Sequence, residues 1–154
     1  METIAKAPLL VLLVMILFIG AKCDFNQSED LNLNDLIGQW SEKEDPDKIQ
    51  FAGSNHQFKF FEDHTFHLKL RSWTDAIDPD AVCPATRIDY VKGTFQIDDK
   101  EIRFFGSYSD ESFSEEIPNC SGEETFTFES EVEFKEDALI MVDKWGSRVR
   151  MLRL

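Results

Sequence analysis

Phe126-Thr127-Phe128-Glu129-Ser130-Glu131-Val132-Glu133-Phe134-Lys135 alternates without a break. Phe126, Phe128, Ser130, Val132 and Phe134 fall on one side, and threonine, glutamate and lysine on the other. Successive side chains of a strand point to opposite faces, so this period of two predicts a strand with one face on a core and a charged face in solvent. Working outward, the chain after Ile37 carries no sustained helical period, and seven further segments read as short strands.

The first of these is Gln39 to Lys43, and the second ends near Phe61, beginning at His56 or at Ile49 with a bulge at Gly53. The third is Thr65 to Arg71, with Phe66, Leu68 and Leu70 on one face. Pairing Phe61 with Thr65 sets Phe58 against Leu68 and Phe60 against Phe66, whereas a slip of one residue would bring Lys69 to the core face. Glu62-Asp63-His64 is then a tight turn. The fourth strand is Ile88 to Ile97, where Gly93 is expected to interrupt the alternation and bend the strand. The fifth is Glu101 to Gly106, with Ile102 and Phe104 inward beside Phe95 and Ile97. The seventh, Ala138 to Asp143, and the eighth, Ser147 to Leu152, flank a turn at Trp145-Gly146. Consecutive strands without crossover helices imply an antiparallel up-and-down meander, and eight strands can close into a barrel that removes the exposed edges. The fold class is therefore all-β, an eight-stranded antiparallel barrel with a short helical turn around Leu31 to Ile37 leading into it.

A meander alternates its connections between two ends. The connections at Glu62-Asp63-His64, Asp98-Asp99-Lys100 and Glu136-Asp137 share one end and are tight. Those around Glu44 to Asn55, Ser72 to Thr86 and Ser107 to Glu123 share the other and are long. Cys83 and Cys120 fall in two of the long loops, at one end, and are expected to form a disulfide.

The third cysteine, Cys23, follows an unbroken apolar run from Leu9 to Ile19 with Lys6 before it. That run is short for a span, which needs ~20 apolar residues, and fits the apolar part of an export signal. Residues 1–23 are read as the leader, 24–35 as a polar tether, and 36–154 as the barrel domain. The leader has two exits, cleavage after Ala21 or lipid attachment at Cys23. A cysteine directly after such a run resembles a bacterial lipoprotein signal, although Lys22 stands where that signal has a small residue. Lipidation also leaves Cys83 and Cys120 as a pair. The expected location is the cell envelope, with a secreted protein carrying a spare thiol, or an uncleaved anchor, as alternatives.

The formal net charge is −14, and losing the leader with Lys6, Lys22 and Glu2 takes it to −15. Such a balance repels phosphate backbones and anionic head groups, so no nucleic-acid partner is expected, and membrane contact only through the N-terminal lipid or anchor. Fourteen phenylalanines and three tryptophans supply the apolar anchors that an acidic disordered chain lacks.

Gly38-Gln39-Trp40 at the start of the first strand, the eight-strand meander, and a basic residue closing the last strand together resemble the lipocalin and wider calycin group. More narrowly, they are similar to the short lipocalin-like domains of bacterial lipoproteins. The resemblance spans Leu36 to Leu154, and no clear C-terminal helix follows the barrel. It implies that an arginine packs over Trp40, with Arg153 the best-placed residue and Arg150 the second. The physical basis is that an indole face accepts a guanidinium through stacking and charge–quadrupole attraction.

No chemistry-bearing constellation assembles. His56, His64 and His67 scatter over the meander. Asp75, Asp78 and Asp80 lack the remainder of a calcium loop, and no serine has an identifiable base. Neither catalysis, a metal nor a cofactor is expected. Two functions fit. One is a binding protein holding a small apolar ligand, neutral or cationic, at the open end, lined by Phe58, Leu70, Tyr90, Phe126 and Phe128 with Trp73 as a lid. The other is a filled barrel that acts through contacts with another macromolecule, as a structural protein or an inhibitor.

Overall fold

A computed structural model describes residues 31–43, 52–75 and 80–154. It contains one helical turn, α1 (Leu33–Leu36), and eight strands: β1 (Gly38–Glu42), β2 (Ala52–Phe60), β3 (Thr65–Thr74), β4 (Thr86–Asp98), β5 (Glu101–Ser109), β6 (Thr125–Lys135), β7 (Ala138–Asp143) and β8 (Arg148–Arg153). Each strand pairs antiparallel with its neighbour in sequence, and β8 pairs back onto β1, so the barrel is closed. The leader, including Cys23, and the possible extension of β2 to Ile49 lie outside the described residues.

The expected β2–β3 register holds. Phe58 faces Leu68, Phe60 faces Phe66, and the Phe61 amide donates to the Thr65 carbonyl. Each tight turn at this end places one non-glycine residue in the left-handed region: His64 at φ 62°, Asp99 at 52° and Glu136 at 58°. The other end carries the long connections and the Cys83–Cys120 disulfide, whose Cα atoms are 5.3 Å apart.

Three expectations along the strands need correction. Gly53 is no bulge, since it pairs regularly with Trp73. Strands β3, β4 and β5 extend beyond their expected ends, to Thr74, back to Thr86 and on to Ser109, because each finds a ladder partner there. Gly93 does not interrupt β4 either, and its ladders to β3 and β5 run through without a break. Its role is close approach: it stands opposite Gly106, and a Cβ on Gly93 would lie 2.0 Å from the Phe105 carbonyl oxygen.

The core is aromatic. Phe58, Phe60, Phe66, Phe95 and Phe104 are buried, and their ring centroids lie 5.0 Å apart for Phe66 and Phe104, 5.2 Å for Phe58 and Phe104, and 5.3 Å for Phe60 and Phe95. Burying each such ring stabilises the fold by about 1.5–3 kcal/mol, with aromatic contacts adding ~0.5–1.5 kcal/mol per pair.

Candidate functional site

The tight-turn end is sealed from the sequence upward. Asn32 caps α1 by accepting from the Asn34 amide, which turns the chain so that Leu36 drops into the core. Trp40, two residues into β1, is buried and donates through Nε1 to the Leu36 carbonyl at 2.7 Å. The Arg153 guanidinium lies 4.8 Å from the Trp40 ring centroid and donates to the Asp35 carbonyl at 2.5 Å. Gly38, at φ 125°, makes the entry into β1. Arg150, the second candidate, points to Glu136 instead, at 3.9 Å. Beside this seal lies a hollow of about 910 Å³, lined by Leu31, Trp40, Val132, Phe134, Arg148 and Arg153 among others.

The expected pocket residues separate into three groups. Phe58 belongs to the packed core. Leu70, Phe126 and Phe128 point inward above it and are only partly buried. Tyr90 and Trp73 are on the outer face and line no interior pocket. With β4 unbroken through Gly93, the inward set fixed by Phe95 is Val91 and Asp89, which sends Tyr90 outward. Trp73 lies within β3 on the same face as Arg71, whose guanidinium is 5.9 Å from its ring.

Residues not anticipated from the sequence occupy the inner wall near the long loops. Glu42 accepts from the His56 amide at 3.1 Å and pairs with His56 Nδ1 at 2.9 Å. Arg87 Nε donates to the buried Asp89 carboxylate at 3.0 Å, and its Nη1 reaches Cys120 Sγ at 3.3 Å. Tyr108 joins Phe126 edge to face, with centroids 6.2 Å apart. Burial pushes the Tyr108 phenol up. Carrying the parity of Phe95 through Gly93 would have found Asp89 and Arg87; the Glu42–His56 pair depends on the β1–β2 register, which spacing does not supply. A second hollow, of about 250 Å³, sits where β6 runs past the end of β7, between Phe105, Thr127 and the exposed Trp145. Among the described residues no group of three or more His, Cys, Asp or Glu is arranged to hold a metal ion.

The fold defines a closed eight-stranded up-and-down barrel, sealed by an arginine–tryptophan pair at one end and tied by a disulfide at the other. No protein-family model matches the chain, and no curated protein matches it. A disulfide is the chemistry of an oxidising compartment, which fits an exported protein.

Proposed function

We propose that this chain is an exported lipocalin-like barrel whose interior is filled and which acts by contacting another macromolecule through its outer surface. The observation that carries this is the packed phenylalanine layer, where Phe60, Phe66, Phe95 and Phe104 are each no more than 1% exposed. An eight-stranded barrel encloses little more than its own side chains, and bulky ones leave no room on the axis. The larger hollow lies at the tight-turn end, and none of these four phenylalanines lines it. Attachment to the envelope through Cys23 belongs to the same proposal, since a tethered barrel presents its outer wall to its surroundings.

The test is titration of the folded protein with an apolar fluorescent probe. No saturable one-to-one enhancement is expected, and stoichiometric binding displaced by an apolar ligand overturns the filled barrel.

A small ligand at the mouth is the second function with an observation in its favour. Leu70, Tyr108, Phe126 and Phe128 are only partly buried above the phenylalanine layer and form an apolar floor. The connections at this end carry Asp75, Asp80 and Glu123, so the ligand would be neutral or cationic.

A further inference from the structure

The outer face of β2, β3 and β4 departs from the charge of the rest of the molecule. Its outward positions are Gly53, Asn55, Gln57 and Lys59 on β2, and Thr65, His67, Lys69, Arg71 and Trp73 on β3. On β4 they are Thr86, Ile88, Tyr90, Lys92, Thr94, Gln96 and Asp98. In a chain with 30 acidic and 16 basic side chains, these three strands turn only one carboxylate outward, Asp98, at the far tip of β4. They turn out Lys59, Lys69, Arg71 and Lys92. Among the described residues none of these four forms an ion pair with a carboxylate.

The ladder sets the spacing. Lys59, His67 and Lys92 lie in one row across three strands, ~4.8 Å from strand to strand. His67, Lys69, Arg71 and Trp73 form a column along β3, about 20 Å long at ~3.3 Å per residue. Rings sit between the cations: Lys59 Nζ is 4.9 Å from the Phe61 ring centroid, Lys69 Nζ is 5.9 Å from Tyr90, and Arg71 is 5.9 Å from Trp73. One margin is covered by the β5–β6 loop, where Phe113 stacks on His67 at 4.0 Å and meets Tyr90 edge to face at 5.7 Å, Glu111 lies beside the Tyr90 phenol, and Lys92 donates to the Ser114 carbonyl at 3.0 Å. Burial, with the ammonium groups of Lys59 and Lys92 nearby, holds His67 below the usual imidazole range.

We infer that the outer face of β2–β4 is a docking surface for an acidic polysaccharide, a linear glycan bearing carboxylates, laid along the β3 column of Lys69, Arg71 and Trp73. The inference rests on the surface-acting function proposed above and names its partner class. Amines and a guanidinium answer spaced carboxylates, while aromatic rings between them suit the apolar faces of sugar rings. A duplex nucleic acid fits less well, because its charges stand ~1.7 Å apart along the axis whereas the cations of the column are ~6.6 Å apart. A lipid surface calls for apolar side chains standing clear, and of this face only Ile88 is a large exposed apolar residue, at 46%.

The experiment uses the full chain in a non-ionic detergent at low ionic strength, titrated with end-labelled polyuronate oligosaccharide. A neutral dextran, single-stranded DNA of equal charge and monomeric dihexanoyl phosphatidylglycerol serve as competitors. Polyuronate is expected to bind, to weaken as salt rises, and to lose about tenfold in affinity in the Lys69→Gln/Arg71→Gln variant, the size of two lost ion pairs. Thermal unfolding of that variant should match the parent, since both positions are on the surface. Absence of polyuronate binding, binding unaffected by the two substitutions, or tighter binding of DNA or lipid each overturns the inference. A silent apolar probe together with absent polyuronate binding rejects the partner while leaving the filled barrel standing; saturable probe binding rejects the filled barrel itself.

Discussion

Arg153, the penultimate residue of the chain, lies 4.8 Å over the ring of Trp40 while Trp40 donates back to the Leu36 carbonyl, so the first and last strands are locked at one point. Trp40→Ala should therefore cost ~3–5 kcal/mol, as large aromatic truncations in cores do. Arg153→Met should cost about 1 kcal/mol, the scale of an exposed cation–aromatic contact. Urea unfolding of both single variants and the double variant measures the coupling. A Trp40→Ala loss below about 1 kcal/mol would remove it from the core.

Reduction of Cys83–Cys120, or its replacement by serines, opens a loop of 37 positions. The chain-entropy model sets the loss at about 4 kcal/mol. Denaturation with and without reductant checks it, and an unchanged midpoint would show that the bridge contributes nothing.

Gly93→Ala forces a Cβ against the Phe105 carbonyl and the Gly106 Cα, both backbone atoms. A loss of ~1–3 kcal/mol or more is expected, as for overpacking where neighbours cannot give way. The measurement is the unfolding midpoint. A neutral substitution would mean that β4 and β5 separate there freely.

The Asp110 carboxyl is held at about 2, chiefly by the Ser112 hydroxyl and then by the Glu115 amide. Its folded value lies below its ordinary 3.8, so it favours the ordered loop above pH 3.8, and that contribution fades as pH falls toward 2. Amide shifts of Ser114 and Glu115 should move together in that window. Movement centred at an ordinary carboxylate value would contradict the hydrogen-bonded loop.

Cys23→Ser should release the protein from membranes if Cys23 carries lipid. Retention of the variant in the membrane fraction points to an uncleaved anchor, and a soluble parent protein points to secretion.

The sequence by itself determined the barrel. Strict alternation from Phe126 to Lys135, the Phe58–Leu68 register and the contrast between tight and long connections require only a local period and loop lengths. Those same features put Cys83 and Cys120 at one end, where they are bonded. What only the tertiary structure decided is which way side chains point beyond a glycine, and what their neighbours are. Tyr90 was expected inside because Gly93 looked like a break, yet the ladder is continuous there and Tyr90 faces out among cations. The Glu42–His56 and Arg87–Asp89 pairs, and the single carboxylate among the outward positions of β2–β4, are products of pairing between strands. Charge composition averages over the whole chain, whereas a partner meets one face, and only the register assigns each charge to its face.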